Sequence, residues 1–278
     1  MPAADRPPLR EAARAFGVVF GPSVLLDAAT ASAVASVLRA KRHHRRPRRA
    51  VALAAELVAA YLAIGRPLML HWGANCEELH KPLPGDELVP GPAVQSTRAV
   101  TVDAPADAVW PWLAQLGQDR GGFYSYECLE NLAGCHMHNA GEIHPEWQQR
   151  SPGETVYLHP RKGLPVARFE PGRVLALENW GAFVLEPLGS DRTRLIARGR
   201  TPRGTASIFN ALLMEIPHFV MERKMLLGIK RRAERSYTTA ARRAAQARVP
   251  ESLVHACGYP PARADHRTVV VEGAPTGA

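Results

Sequence analysis

The chain has 278 residues, 46% of them hydrophobic, which is enough for one large or two small domains with a packed core. Its formal charge of +9 is concentrated at the flanks, because six Lys or Arg fall in 41–49 and seven in 230–248, against eleven basic and twelve acidic residues in 91–200. A nearly neutral centre argues against a groove that follows a nucleic-acid backbone and against specific nucleic-acid binding. The run 41–49 could still make weak contact with an anionic membrane surface or with RNA.

Cysteine spacing and the absence of several motifs exclude further classes. Four cysteines, at 76, 128, 135 and 257, match neither a metal ribbon nor a dense disulfide framework, so we expect a reduced, cytoplasmic protein. The apolar stretch 50–64 contains Glu56 and is too short to predict a membrane span. There is no GxSxG, no phosphate-binding loop and no GxGxxG after a strand, which weakens hydrolase, nucleotidyl-transfer and dehydrogenase hypotheses. No motif requires a cofactor.

The N-terminal third is predicted to be helical. An alanine-rich stretch, 9–40, favours helix, and a second helix over 51–64 should end at Gly65 as a glycine C-cap with Pro67 behind it. A Pro- and Gly-rich segment up to residue 92 predicts a domain boundary there. The predicted organisation has three parts: an N-terminal helical and basic extension with its linker, 1–92; a central domain, 93–247; and a disordered tail, 248–278.

The central domain mixes strands and helices. A strand over 97–103 precedes two short helices, the second of them at about 125–133. Five segments with period-two alternation, separated by turn residues, then predict an antiparallel meander: 154–159, 164–170, 174–180, 182–188 and 192–200. An amphipathic helix running to about residue 245 follows. This order predicts an α+β fold in which a curved antiparallel sheet wraps around the long C-terminal helix, with extra helices at the N-terminus.

The stretch 115–147 is the richest in groups that can line a half-polar site. It lies where a helix gives way to the meander, so we expect its polar side chains to form one end of a cavity whose apolar walls include methionines of the long helix. The candidate ligand-binding residues are Tyr124, Tyr126, Asn131, His138, Asn139, Trp147, Met221 and Met225. The alternative is that the tyrosines and asparagines cap the short helices and that the methionines are plain core.

Two histidine patterns need separate consideration. His136 and His138 would point to the same side of a strand, but a metal site needs three or four converging ligands, so we expect no metal there. On the long helix, Glu215, His218 and Glu222 share one face. That face is either a polar stripe inside the cavity or the solvated back of the helix, and we expect Glu222 to lie on the solvated back.

The order of elements, together with the motifs AVWPWLAQLGQDRGGFYSYECLENLAGC and HNAGEIHPEWQ, resembles the polyketide cyclase/dehydrase and lipid-transport superfamily. This superfamily is also called SRPBCC, START-like or birch-pollen-allergen-like. The similarity covers roughly residues 97–237 and includes MERKMLLGIK in the last helix. Together with the upstream RPLMLHWGANCEELHKPLPGDELVP, it points to an uncharacterised bacterial branch.

The resemblance implies a helix-grip fold, in which a seven-stranded sheet surrounds the C-terminal helix and an apolar cavity. It implies binding of a small hydrophobic or amphipathic ligand, such as a lipid or a polyketide-like molecule. The alternative is a cyclase or dehydrase, in which His138 with Tyr126 or Glu130 would transfer protons as general acid and base. The superfamily includes both carriers and enzymes, so the fold alone does not choose between them.

Overall fold

The computed structural model describes residues 13, 14, 17, 48–204 and 214–247. The predicted disordered tail 248–278 lies outside these ranges, as do most of the predicted helix 9–40 and most of the basic run 41–49. The contacts discussed below all lie within the first of two compact units, Met1–Tyr237.

Residues 48–70 form an almost continuous helix. Helix α1 (Arg48–Ala60) passes through a π-helical turn (Tyr61–Gly65) into helix α2 (Arg66–Leu70). The predicted glycine C-cap at Gly65 is wrong, because Gly65 keeps right-handed helical angles and Pro67 occupies the first turn of α2. Proline is tolerated in the first turn of α2, since no carbonyl of α2 lies four residues before it. Within the described ranges, no helix is long and apolar enough to cross a membrane.

The remaining elements follow the predicted order. They are α3 (Cys76–His80), a 3-10 turn (Asp86–Leu88), β1 (Val94–Val102), α4 (Ala106–Ala114), α5 (Glu127–Leu132), a second 3-10 turn (Pro145–Trp147), β2 (Thr155–His159), β3 (Lys162–Glu170), β4 (Val174–Leu177), β5 (Gly181–Pro187), β6 (Thr193–Thr201) and α6 (Glu215–Ala247).

The strands form one antiparallel sheet. Its order is β1-β6-β5-β4-β3-β2, so the meander from β2 to β6 adds strand by strand and β1 closes the far edge beside β6. The predicted α+β class, with an antiparallel sheet and a long C-terminal helix, is confirmed. In the described residues the sheet has six strands, where the resemblance implied seven.

Apolar side chains cover both faces of the sheet. On one face, Phe183 and Leu195 pack with Leu226 and Ile229 of α6 in the main core. On the other face, Val184 and neighbouring strand residues pack with the segment before β1, and the members of this second cluster are Leu83, Ala99, Val174, Ala176, Ala182, Val184 and Ile196. Because side chains alternate along a strand, adjacent residues such as Phe183 and Val184 serve the two cores separately.

Charged contacts attach the segment 66–88 to the sheet. Arg194 on β6 pairs with Glu78 of α3 at 2.6 Å, and Arg198 pairs with Asp86 at 3.0 Å. On β1, Arg98 donates a hydrogen bond of 2.8 Å to the carbonyl oxygen of Met69. All three contacts cross the boundary predicted at residue 92. Those of Arg194 and Arg198 lie on the second face of the sheet, beside Ile196, whereas Arg98 points to the face that carries α6.

Candidate functional site

A glycine-rich turn at 117–122 precedes the candidate site in the chain. Gly117 and Gly122 exchange two backbone hydrogen bonds, of 3.1 and 2.8 Å, and both have positive φ. A Cβ on Gly121 would lie 2.8 Å from the carbonyl oxygen of Gln115 and 2.9 Å from the hydroxyl of Tyr124. Because no side chain fits so close to backbone and ring atoms, these glycines fix the path of the chain into α5.

A second close approach joins this segment to the long helix. A Cβ on Gly228 would lie 2.6 Å from the carbonyl oxygen of Tyr124. The missing side chain lets α6 pack directly against the backbone that precedes α5. About two turns earlier on α6, the carbonyl oxygen of Met221 accepts a hydrogen bond of 3.0 Å from the Ser125 hydroxyl. Helix α5 is therefore held at a fixed distance from the methionine-bearing part of α6.

Between α5, strands β2 to β5 and α6 lies a cavity of about 440 Å³. That volume falls in the usual range for small-molecule pockets. Its wall is largely apolar and consists of Phe123, Leu129, Ala133, Met137, Leu158, Leu164, Leu177, Trp180, Phe183, Met221 and Met225. Five side chains with polar or ionisable atoms complete the lining: Ser125, Glu130, Cys135, His218 and Glu222.

Glu130 is the carboxyl on the α5 side of the cavity. Its residue is 8% exposed, and its Oε2 atom is buried without a hydrogen-bond partner. Burial, with a smaller contribution from the charge of Glu127, raises the pKa of Glu130 from 4.5 to about 7. Near neutral pH this carboxyl is therefore a mixture of the protonated and ionised forms, as is expected of an effective general acid, general base or proton-coupled binding group.

Glu222 is the carboxyl on the α6 side, and its surroundings are different. Its Oε2 atom lies 2.6 Å from Nη1 of Arg98 and 3.0 Å from Nε2 of His218, while Oε1 is buried without a partner. Burial alone would raise the pKa of Glu222, but the Arg98 guanidinium and then His218 outweigh it and hold that pKa below its usual value. The expectation that Glu222 lies on the solvated back of the helix is wrong, because Arg98 draws it into the interior.

Three of the predicted site residues line the cavity: Glu130, Met221 and Met225. The two tyrosines do not. Tyr124 is buried against Trp112, with the Arg232 guanidinium 4.5 Å from its ring centroid, and burial raises its pKa to about 12. Tyr126 precedes α5 and packs beside Leu129, where the ammonium of Lys224 lies 5.0 Å from its ring centroid. Both rings support the wall of the cavity from outside.

The predicted amides organise the loop after α5. Asn131 donates a hydrogen bond of 2.9 Å to the carbonyl oxygen of Met137 and accepts one from the N–H of the same residue, which fixes Met137 in the wall. Asn139 accepts a hydrogen bond of 2.6 Å from the N–H of Tyr124. This agrees with the alternative expectation for these residues, that they fix the loop, rather than with direct contact in the cavity.

His138 points away from the cavity. Its side chain is 86% exposed and lies 3.4 Å from Glu127, so the expectation that it forms the polar end of the cavity is corrected. The reason is local, because residues 135–140 form a loop with positive φ at His136 and not the strand assumed for the two histidines. Trp147 also lies outside the lining and stacks on His144 with ring centroids 4.1 Å apart.

Sequence reasoning missed several residues of the lining. Trp180 and Phe183 stack with centroids 4.8 Å apart at the β4–β5 turn, and Cys135 and Ser125 lie beside α5. A signal for His218 and Glu222 was present in their spacing on one helix face. Among the described residues, no group of three or more His, Cys, Asp or Glu side chains is placed to hold a metal ion.

Comparison with known proteins adds little to this geometry. No family model matches the chain, and no curated protein matches it. A solved structure that is similar in part is a conserved protein of unknown function from Enterococcus faecalis, with 10% sequence identity and a TM-score of 0.27 over 54% of this chain and 88% of the other. A score of that size is too low to indicate a shared fold.

Proposed function

We propose that the protein binds a small hydrophobic or amphipathic ligand, of lipid or polyketide-like character, in the cavity between the sheet, α5 and α6. The observation that carries this proposal is an apolar cavity of about 440 Å³ with a few polar groups at its sides. In this proposal the sheet and α6 form a helix-grip arrangement of the START-like kind, as the sequence motifs suggest.

The lining favours a ligand with a long apolar part. Each buried methylene contributes about 0.8 kcal/mol, so a chain of about ten carbons would gain about 8 kcal/mol before the cost of association is subtracted. Met221 and Met225 suit such a ligand, because unbranched thioether side chains adapt to irregular shapes. The polar groups would then orient the head of the ligand.

Native mass spectrometry of the purified protein tests this function, followed by organic extraction and identification of any released molecule. We expect a stoichiometric apolar or amphipathic adduct. When the protein is purified without an adduct, addition of an alkyl chain compound should produce a 1:1 complex. Failure to form any such complex at concentrations near 1 mM, the weak end of specific affinity, would contradict the proposal.

Filling the cavity is the corresponding mutational test. Met225→Trp adds volume at a residue that is 5% exposed and lines the cavity, so we expect ligand retention to fall by at least about tenfold. Met214→Trp is the matched control, since Met214 is 39% exposed and outside the lining. Thermal unfolding of both variants shows whether the fold is intact. Equal retention by the two folded variants would argue against binding in this cavity.

A second function is favoured by the pKa of Glu130. A carboxyl that titrates at about 7 inside an apolar cavity is suited to enolise a poly-β-ketone or to remove water from an aldol product. In this version of the cyclase hypothesis Glu130 acts without His138 or Tyr126, which lie outside the lining. Turnover of a short β-polyketone, abolished in Glu130→Gln, would support it, and turnover unaffected by that substitution would refute it.

A further inference from the structure

The two carboxyl groups that line the cavity differ in whether a basic side chain binds them. Glu222 already has a guanidinium at 2.6 Å and an imidazole at 3.0 Å, so its charge is compensated within the protein. Glu130 receives no hydrogen bond to Oε2 and has no cation among the groups that set its pKa. No Lys or Arg is found in the described lining of the cavity. The apolar space therefore borders one buried carboxyl whose charge the protein leaves uncompensated.

An uncompensated carboxyl restricts the ligand. A ligand carboxylate or phosphate placed beside Glu130 would suffer repulsion in a medium of low dielectric constant, and the described lining has no Lys or Arg to offset it. A ligand cation would instead supply the opposite charge and the hydrogen-bond donor that Glu130 lacks. Resting on the ligand-binding function proposed above, we propose that the cavity selects hydrophobic amines and that the Glu130 carboxylate pairs with the ammonium group of the ligand.

In the described part of the chain, the charged and titratable groups near Glu130 on each neighbouring element supply no positive charge that binds its carboxylate. On its own helix, Glu127 adds negative charge, and its carboxylate lies 3.4 Å from the exposed imidazole of His138. In the following loop, the thiol of Cys135 lines the same cavity. From α6 come His218 and Glu222, which bind each other, and the ammonium of Lys224 lies over the Tyr126 ring outside the lining.

The proposal makes binding depend on pH in a defined direction. An alkylammonium stays protonated to about pH 10, whereas Glu130 ionises around pH 7. Affinity for an amine should therefore rise from about pH 6 to about pH 8 and then level off, because only the ionised carboxyl forms the ion pair. A ligand held by hydrogen bonding to the protonated carboxyl would show the opposite trend.

Three probes of equal chain length separate the head-group chemistries in titration calorimetry: decylamine, decanol and decanoate. Decylamine and decanoate are used below their micelle concentrations, and decanol is used below its solubility limit. For the full-length chain at about pH 8, we expect decylamine to bind at least about tenfold more tightly than decanol, and decanoate to bind most weakly. Glu130→Gln keeps the shape of the side chain and should bring decylamine to within about threefold of decanol. The affinity for decanol should change little.

Cys135 provides a check on location. In a Cys76→Ser, Cys128→Ser, Cys257→Ser background, Cys135 is the remaining thiol, and a ligand in the cavity should slow its labelling by a maleimide. Decylamine bound elsewhere on the protein would leave the labelling rate unchanged. If decylamine and decanol slow the labelling of Cys135 equally, the alkyl parts of both ligands lie in the same cavity, as the proposal requires.

The outcomes distinguish failure of the amine assignment from failure of the ligand-binding function. Tight binding of decanol with no advantage for decylamine would overturn the amine assignment and leave the ligand-binding function standing. A decylamine advantage that persists in Glu130→Gln would also overturn the assignment. If none of the three probes binds or protects Cys135, both the amine assignment and the ligand-binding function are wrong.

Discussion

The two buried carboxyls on opposite sides of the cavity have pKa values shifted in opposite directions. Glu130 on α5 and Glu222 on α6 are 8% and 3% exposed, and both line the same apolar space. Yet the pKa of Glu130 is raised to about 7, while the pKa of Glu222 is held below its usual value. The more deeply buried of the two is the one that remains charged.

The difference shows that partners, and not depth, decide the charge of these groups. Burial acts on both carboxyls in the same direction, since it disfavours the ionised form. Glu222 has Arg98 at 2.6 Å, and Glu130 has a second carboxylate, Glu127, as its main charged neighbour. The carboxylate of Glu222 therefore has its counter-charge within the folded chain, whereas, among the residues that the structure describes, the only charged neighbour that shifts the pKa of Glu130 is another carboxylate.

The largest expected change in stability comes from breaking the ion pair between Arg98 and Glu222. Arg98→Met leaves Glu222 buried without its guanidinium, and we expect the free energy of unfolding in urea to fall by about 3–5 kcal/mol. The Arg98→Met, Glu222→Met double variant should recover most of that loss, because a buried pair can be replaced by apolar side chains of similar volume.

A matched arginine on the surface shows whether the effect is specific to burial. Arg168 on β3 has a side chain that is 47% exposed and pairs with Glu170 at 3.0 Å. Arg168→Met should cost less than about 1 kcal/mol, since exposed pairs contribute little. Equal losses for Arg98→Met and Arg168→Met would mean that the buried pair does not carry the stability assigned to it.

The next largest effect is the pH dependence of stability caused by Glu130. Between pH 4.5 and about 7 the unfolded chain releases the proton of Glu130 while the folded chain keeps it, so stability falls as the pH rises through this interval. The decrease for a shift of this size is about 3 kcal/mol. Glu130→Gln cannot titrate, and we expect it to be more stable than the wild type by about 2–3 kcal/mol at about pH 8 and equal to it at about pH 4.

Urea unfolding at several pH values measures this difference. Glu178→Gln changes an exposed glutamate next to the β4 strand and is the matched control, because a surface substitution of this kind should change stability by less than about 0.5 kcal/mol. A Glu130→Gln profile that runs parallel to the wild type between pH 4.5 and 7 would show that Glu130 ionises normally in the folded protein. The contrast between the two sides of the cavity would then disappear.

Local sequence patterns predicted the elements that form the cavity, because each pattern depends only on residues close together in the chain. Period-two alternation located the meander, and helical spacing located the long helix with Met221 and Met225 on its inner face. The density of polar groups in 115–147 brought Glu130 into the candidate site. Each of these signals extends over one element or one turn.

The errors arose where a distant residue decides the outcome. The orientation of Glu222 depends on Arg98, which is 124 residues earlier in the chain, and no helical pattern can supply that information. His138 was assigned to the cavity because it lies in the polar stretch 115–147, whereas the structure leaves its side chain 86% exposed. The side chains of Asn131 and Asn139 bind the backbone of Met137 and of Tyr124 and so fix the path of the loop that carries His138. A polar residue in a loop is positioned by such hydrogen bonds, and their partners cannot be read from spacing.

The smallest effect concerns the negative charge of Glu127 beside Glu130. Glu127→Gln removes the negative charge nearest to Glu130 and can still accept the hydrogen bond of 3.0 Å from the N–H of Asn139. We expect the pKa of Glu130, followed by carbon NMR of labelled glutamate carboxyls, to fall and yet to stay above 4.5, because burial is the larger cause of its shift. An unchanged pKa would show that Glu127 does not act on the site. A lower pKa would let the carboxylate form at lower pH, so the rise in amine affinity should begin earlier in this variant than in the wild type.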